Sequence, residues 1–226
     1  NKSYALACVM AAYKAGARWI VLCDTNGGRL PAEIGRITAE VIAQGIDGAR
    51  LGIHCHDDTG HAVANTLAAI DAGARQVQGT LNGLGERCGN ANLISLIPTL
   101  LLKDPYKSRY SVGVQPEKLP SLLRVSRMLD DILNRVPLRS APYVGASAFA
   151  HKAGLHASAI LKDPSTYEHI DPVLVGNERV IPMSNQAGQS NLRARLLSAG
   201  IEVADKDPRL LSILEVVKDR EDQGYS

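Results

Sequence analysis

The first hundred residues alternate between amphipathic stretches of helical period and short apolar runs. Two similar segments, at 11–18 and 68–75, both end in Ala-Gly-Ala-Arg, and glycine there suits the left-handed end of a helix. Each segment leads at once into an apolar run, at 19–23 and at 76–81. The repeat therefore predicts a helix followed by a strand, twice.

A third helix and strand lie between the two copies. The helix is predicted from about Pro31, a residue favoured at helix starts, to Gln44, and the strand at 50–54. Helices and strands that alternate with short connections predict parallel strands joined by right-handed crossovers. This pattern fits both an open doubly wound sheet and a closed barrel. The polar residues that follow each strand, and the lack of a GxGxxG turn between strand and helix, favour the barrel.

The pattern changes beyond residue 104. The segment 105–116 has two prolines and many small or polar residues, and we interpret it as a linker between a barrel part at 1–104 and a helical subdomain at 117–226. An amphipathic helix is predicted at about 116–136. A last helix, at about 208–223, is expected to pack through Leu210, Leu211, Ile213, Leu214, Val216 and Val217.

Composition narrows the classes of protein that the chain can belong to. Of its 226 residues 45% are apolar and 21% charged, and the net charge is +2, so neither a nucleic acid nor an anionic membrane is expected as partner. No apolar run approaches the ~20 residues of a membrane span, and the N-terminus does not resemble a signal peptide. None of the four cysteines forms a CxxC pair, which predicts reduced thiols and a cytoplasmic location.

The sharpest local motif is His-Cys-His-Asp-Asp at 54–58. Strand residues two apart project to the same face, so His54 and His56 are expected side by side while Cys55 faces away. Two such imidazoles can share a divalent cation. The alternative is two histidines that make separate hydrogen bonds at the end of a strand.

A glycine-rich segment at 82–92 follows the next strand. Its three glycines allow tight turns and close approach to a ligand. Asn90 could offer an amide oxygen to a cation, and the resulting set of two nitrogens and one oxygen would suit Mg²⁺, Mn²⁺ or Zn²⁺. Glu86 and Arg87 could form an ion pair that braces the loop.

A third candidate lies in the second half of the chain. His156 ends the segment 148–156, and Tyr167 follows eleven residues later. Both side chains can donate or accept protons at a developing enolate or alkoxide. Their spacing alone does not bring them together.

Taken together, these segments resemble the family of isopropylmalate, homocitrate and citramalate synthases, which are metal-dependent acyl-CoA-condensing barrels. The matching pieces are LCDTNGG at 22–28, HCHDD at 54–58 and QGTLNGLGERCGN at 78–90. The resemblance extends over nearly the whole chain, and YVGASAFAHK at 143–152 is most similar to the citramalate synthase branch. It implies a fold class of α/β, with the C-terminal part of a (β/α)8 TIM barrel, about its last three strands, followed by a small helical subdomain.

The resemblance also implies a site. His54, His56 and Asn90 would be ligands of a divalent metal ion, and Thr25 would bind the carboxylate of a 2-oxo acid. The enolate of acetyl-CoA would add to the oxo group of that acid, and water would then hydrolyse the thioester. His156 and Tyr167 would assist proton transfer, usually from the partner protomer of a homodimer.

The chain also departs from the family pattern. The family's first strand carries an Arg-Asp pair, and another strand that lies before those of this chain carries a Glu. None of these three residues precedes Asn1. Ser158 stands where many relatives have Asp, and the C-terminal regulatory domain does not follow Ser226. We therefore expect a central fragment that is inactive and poorly folded alone, because a partial barrel leaves strand edges open.

The resemblance predicts a citramalate synthase-like enzyme that uses pyruvate and acetyl-CoA in branched-chain amino-acid (isoleucine and leucine) biosynthesis. A larger oxo acid, as in 2-isopropylmalate or homocitrate synthase, is the nearest alternative. A second is an HMG-CoA-lyase-like aldolase on the same barrel. A third is a metal-free binding module in which His54 and His56 are structural.

Overall fold

The chain divides into two compact units, Asn1–Val112 and Gly113–Ser226. The boundary between them lies within the segment 105–116 that the sequence predicts as a linker. The computed structural model describes residues 1–152, 154–182, 188–204 and 207–225.

The first unit is a three-stranded parallel sheet with helices before, between and after its strands. The strands, hydrogen-bonded in sequence order, are β1 (Ile20–Asp24), β2 (Leu51–Cys55) and β3 (Gln76–Gln78). The helices are α1 (Lys2–Lys14), α2 (Pro31–Ala43), α3 (Ala62–Asp71), α4 (Leu93–Leu102) and α5 (Tyr106–Arg109). The parallel order confirms the alternation of helices and strands that the sequence predicts.

Two glycines follow the repeated helices. Gly16 comes after α1 with a φ of 96°, and Gly73 comes after α3 with a φ of 118°. Side chains with a Cβ rarely adopt this left-handed backbone, so glycine ends each helix without strain. The chain then runs directly into β1 and β3, so the repeat in the sequence corresponds to two helix–strand units.

The helices cover one face of the sheet. Leu51, Ile53 and Cys55 alternate along β2, are no more than 1% exposed, and belong to a core that includes Ile34 of α2 and Ala69 of α3. Successive strand residues point to opposite faces. The residues between and beyond these core positions therefore face the side of the sheet away from α2 and α3.

The strand β3 is shorter than the sequence predicts, at 76–78 instead of 76–81. Thr80 exchanges backbone hydrogen bonds with the returning chain, its N–H donating to Ala91 and its carbonyl accepting from Leu93. A 3-10 helix covers Leu81–Gly83, where Asn82 has a φ of 54°. The returning loop thus takes the hydrogen bonds that would have extended the sheet.

The first half of the predicted linker packs on the first unit. The Tyr106 hydroxyl donates to Asp71 Oδ2 at 3.0 Å. The guanidinium of Arg75 lies 5.0 Å from the centroid of the Tyr110 ring, within the range of a cation–π contact. The helix α5 is therefore held by α3 and by the residues that follow it.

The second unit contains the helices α6 (Leu122–Ile132), α7 (Gly154–Lys162), α8 (Gln189–Ser198) and α9 (Arg209–Asp222). The single helix predicted at 116–136 is divided. Its first part, Pro116–Ser121, is a 3-10 helix with Pro120 inside, which cannot donate a backbone hydrogen bond. The helix α6 stops before Asn134, which has a φ of 51°.

Only part of the apolar surface of α9 is buried. Leu210 is 1% exposed and Leu214 6% exposed, and both pack with Leu192 of α8. Leu211, Ile213 and Val216 are exposed, so the prediction that all the apolar residues of this helix pack together is wrong. Residues four apart share a face of a helix, and α8 covers only that face. Within the described ranges, no helix has the length and apolar character of a membrane span.

Candidate functional site

His54 and His56 lie at the end of β2 with their rings close together. The ring centroids are 5.2 Å apart, and the planes meet at 78°. Cys55 between them is buried in the core, as the alternation of a strand requires. The expected side-by-side placement of the two imidazoles is present.

Asn90 reaches the same place through the backbone. An isolated bridge pairs it with His56, with Asp57 N donating to Gly89 O and Ala91 N donating to Cys55 O, both at 3.0 Å. The glycine-rich loop that follows β3 therefore folds back onto the end of β2.

The side-chain amide of Asn90 has a fixed orientation. Its Nδ2 donates to the carbonyl of Leu84 at 3.0 Å, which leaves Oδ1 as a buried acceptor. Among the described residues, no hydrogen-bond partner reaches Asn90 Oδ1, and the same is true of His54 Nδ1. A buried polar atom without a partner costs roughly 1–3 kcal/mol, so both atoms are suited to a ligand that accepts their lone pairs.

The environment of His54 favours the neutral ring. Burial lowers the pKa of His54, and the nearby His56 lowers it further. A neutral imidazole is the form that coordinates a metal ion. Across the described part of the chain, no three His, Cys, Asp or Glu side chains are grouped to hold a metal. The candidate site therefore depends on the amide oxygen of Asn90 as its third donor.

His56 is already engaged. Its Nδ1 lies 3.2 Å from Nη2 of Arg87. A guanidinium only donates hydrogen bonds, so Nδ1 is the acceptor and a neutral ring carries its proton on Nε2. This contact is a shared one, because the two hydrogens of Nη2 also reach Asp58 and the carbonyl of Thr25. Coordination through Nε2 would require that proton to move to Nδ1 and Arg87 to withdraw from the ring.

Arg87 connects the loops that follow all three strands. Its Nε donates to Asp58 Oδ1 at 2.7 Å, and its Nη2 donates to Asp58 Oδ2 at 2.9 Å and to the carbonyl of Thr25 at 2.7 Å. The ion pair of Arg87 is thus with Asp58, whereas the sequence suggested Glu86. The hydrogen bond from Arg87 lowers the pKa of Asp58. The sequence places Asp58 near the site, but its partner comes from a distant loop.

We expect Arg87→Gln to raise the pKa of Asp58 toward its usual 3.8, because the charged donor that stabilises the carboxylate is lost. A ¹³C NMR titration of the Asp58 carboxyl measures this change. With Arg87 present, the ionised Asp58 stabilises the folded state at any pH above the pKa that Asp58 has in the unfolded chain. This stabilisation is lost as the pH falls through the lower pKa that Asp58 has in the folded state. Arg36→Gln breaks only the pair with Glu40 and should leave Asp58 unchanged. Equal titration midpoints in the two variants would contradict this prediction.

Asp24 at the end of β1 and Thr25 in the turn after it contribute in different ways. Thr25 is exposed, and its carbonyl accepts the bond from Arg87, which links it to the loop of His56. Asp24 is 6% exposed, and the strand register pairs it with Cys55, on the face opposite His54. Burial raises the pKa of the Cys55 thiol to about 12. Asp24 therefore belongs to the helix side of the sheet, whereas the candidate metal donors lie on the other side.

His156 and Tyr167 meet within the second unit. Their ring centroids are 4.3 Å apart, with the planes inclined at 34°. His156 lies on α7, and Tyr167 follows the 3-10 turn Pro164–Thr166, which reverses the chain after that helix. Tyr167 is 45% exposed, so the pair is open to solvent. The turn thus brings together two residues that their spacing did not connect.

Two family models match the chain. The model described as HMGL-like matches residues 1–125, and the model described as homocitrate synthase post-HMGL domain-like matches residues 143–225. The first match covers the three strands, and the second covers His156 and Tyr167. The first match extends from the first unit into the second, and the second match lies within the second unit.

Named relatives point in the same direction. An (R)-citramalate synthase of Synechocystis sp. is 52% identical over the whole chain, and one of Aquifex aeolicus is 51% identical. The chain spans 41% and 42% of the lengths of these two relatives.

A solved structure supports the fold and the family. An HMG-CoA lyase of Acinetobacter baumannii, in complex with coenzyme A and 3-methylmalate, superimposes with a TM-score of 0.52 at 27% identity, covering 62% of this chain and 46% of that one. Together with the three parallel strands, this confirms the predicted fold class, part of a (β/α)8 barrel followed by a helical part. Because the HMGL-like model matches more than half of its residues, the chain belongs to the HMGL-like family.

Proposed function

We propose that the chain is part of an enzyme that condenses acetyl-CoA with pyruvate to form citramalate. The proposal rests on two observations: the His54 and His56 rings lie close together at the end of β2, and a backbone bridge pairs His56 with Asn90, whose buried Oδ1 has no partner among the described residues. Its choice of substrates is supported by the relatives named (R)-citramalate synthase, which are about 50% identical over the whole chain.

His54, His56 and Asn90 would hold a divalent cation, Mg²⁺, Mn²⁺ or Zn²⁺. When bound, such a cation supplies Lewis-acid polarisation of the oxo group of the substrate. Burial lowers the pKa of His54, which favours the neutral ring, and the bond from Asn90 Nδ2 to Leu84 leaves Oδ1 as a buried acceptor without a partner among the described residues. Thr25 would donate its hydroxyl to the carboxylate of the 2-oxo acid.

His156 and Tyr167 would handle protons. Loss of a proton from the acetyl methyl gives an enolate, whose carbon forms the new bond to the oxo carbon of pyruvate. The oxo oxygen takes up a proton, and water then cleaves the thioester to release citramalate and coenzyme A. A phenol and an imidazole in ring contact can donate and accept these protons. We propose that the pair acts in a homodimer, from one protomer to its partner.

We further propose that the protein works in the reducing cytoplasm. Within residues 1–152 all four cysteines are free, and Cys8, Cys23 and Cys88 are exposed. Exposed free thiols are usual where disulfides are kept reduced.

A chimeric enzyme tests this function. The 226 residues replace the matching segment of the Synechocystis (R)-citramalate synthase, which aligns with the whole chain. We expect release of coenzyme A thiol from acetyl-CoA that depends on pyruvate and on an added divalent cation. The larger 3-methyl-2-oxobutanoate is expected to be a poor substrate.

Two other results would contradict the proposal. A chimera that prefers 3-methyl-2-oxobutanoate would be an isopropylmalate synthase. One that cleaves 3-hydroxy-3-methylglutaryl-CoA and does not join acetyl-CoA to pyruvate would be a lyase. The unmodified Synechocystis enzyme serves as the control for each substrate.

A further inference from the structure

A buried ionic cluster lies beside Tyr167 in the second unit. Glu168, with a side chain only 2% exposed, accepts bonds from Arg179: Nε to Oε1 at 2.7 Å and Nη2 to Oε2 at 2.5 Å. Nε2 of His151 lies 3.1 Å from the same Oε1. Burial raises the pKa of Glu168, but the bonds from Arg179 and His151 outweigh burial and lower it overall. Glu168 is therefore a buried carboxylate with donors on both oxygens.

Backbone pairing assembles this cluster. An isolated parallel bridge joins Ala150 to Val180, and His151 N donates to the carbonyl of Val180 at 2.9 Å. His151 follows Ala150 on one segment, and Arg179 precedes Val180 on the other. The bridge therefore places both side chains against the carboxylate of Glu168. The segment that leads to α7 is thus tied to Val180 through the backbone and to Glu168 through the side chain of His151.

Glu168 and its two neighbours point to different surroundings. Tyr167 is half exposed and lies against His156, Glu168 is buried, and the His169 ring stacks on Phe149 at a centroid distance of 5.9 Å. Because Tyr167 shares a peptide with Glu168, the position of its Cα depends on where the buried carboxylate is held. The exposed tyrosine ring has no comparable anchor of its own among the described contacts.

We propose that Glu168 is a positioning residue, held by His151 and Arg179, that fixes the Tyr167 ring against the His156 ring. The chemical meaning of this pair rests on the function proposed above, whereas the ring contact does not depend on it. A carboxylate can accept from Arg179 at both oxygens and from His151 as well. A glutamine amide accepts at one oxygen only, so Glu168→Gln places its NH₂ group against one of these donors.

NMR of the chimera, which contains all 226 residues, tests the ring contact. In the parent chimera, the His156 ring protons should show a ring-current shift from Tyr167, which Tyr167→Ala removes. We expect Glu168→Gln to lose most of this shift. Glu178→Gln is the matched control, since it removes an exposed carboxylate next to Arg179 and should keep the shift.

A second pair of variants keeps the test decisive if Glu168→Gln does not fold. The side chain of Arg179 is 34% exposed, so its replacement is easier to accommodate. Arg179→Met should lose the shift, and Arg179→Lys, which keeps one charged donor, should recover part of it. An unchanged shift in Arg179→Met would overturn the proposal.

Kinetics of the chimera test the consequence for catalysis. Glu168→Gln should lower kcat about 10- to 100-fold, the effect expected of a displacement near 1 Å, while KM for pyruvate stays the same. A loss of folded enzyme would lower the rate by the same factor at every pH. A displaced acid–base pair would instead move the pH values at which the two limbs of the pH–rate profile rise and fall. A uniformly lowered profile would contradict positioning. Full turnover in Tyr167→Phe and His156→Ala would instead overturn the proposed roles of those residues and leave the NMR result standing.

Discussion

Alanine in place of His54 is expected to weaken the binding of a divalent cation by about 100-fold or more. Loss of a residue that only supports a metal ligand typically lowers the affinity for the metal 10- to 100-fold, and loss of the ligand itself should lower it at least as much. The buried Nδ1 of His54 has no protein partner among the described residues, so no hydrogen bond from these residues competes for that nitrogen. Titration of the chimera with Zn²⁺ or Mn²⁺ by calorimetry measures the change.

His61→Ala is the matched control for that experiment. It removes a histidine at the start of α3, outside the His54, His56 and Asn90 set, and should leave cation affinity unchanged. Parent and His54→Ala chimeras that bind with the same affinity would rule out the proposed ligand. A parent chimera that binds no cation would support the metal-free binding module.

The affinity should also depend on pH in a defined direction. Protons compete with the cation for the imidazole, so affinity falls as the pH decreases through the pKa of His54. Burial and the neighbouring His56 place that pKa below its usual 6.5, so binding should persist to a lower pH than an exposed histidine allows.

Gly89→Ala is expected to destabilise the fold by about 3 kcal/mol. Gly89 has a φ of 91°, and a Cβ there would lie 1.9 Å from the carbonyl oxygen of Gly83. A left-handed backbone costs a non-glycine residue roughly 1–2 kcal/mol, and steric overpacking adds roughly 1–3 kcal/mol. The same carbonyl accepts the backbone N–H of Asn90 at 3.1 Å. Relief of the clash should therefore displace Asn90 and weaken cation binding too.

Gly60→Ala separates the two causes. Gly60 has a φ of 72°, and a Cβ there would meet no described atom within 4 Å. Urea unfolding of the chimera should show a loss of only about 1–2 kcal/mol for this variant, from the backbone alone, with unchanged cation affinity. Equal losses in the two glycine variants would contradict the role of the Gly83 contact.

Local patterns were sufficient for the framework of the first unit. The period of the apolar residues and the glycines at 16 and 73 identified helices, strands and their parallel order. The alternation of a strand placed His54 and His56 together and Cys55 in the core. These features depend on residues within a few positions of one another, which the sequence displays directly.

The contacts between distant segments needed the tertiary structure. Asn90 was a candidate ligand by sequence, but its bridge to His56 fixes where its amide lies. The pairing of Arg87 with Asp58 joins residues 29 positions apart, and the sequence favoured the adjacent glutamate instead.

The second unit shows the same limit more strongly. The turn at Pro164–Thr166 brings the Tyr167 ring to His156, and the bridge from Ala150 to Val180 assembles the cluster around Glu168. Neither has a periodic signal, because each depends on how the chain returns on itself. The sequence by itself determined most of the helices and strands of the first unit and the types of residue available for chemistry. The tertiary structure decided which of them meet, because backbone pairing and burial act between residues that are far apart in the chain.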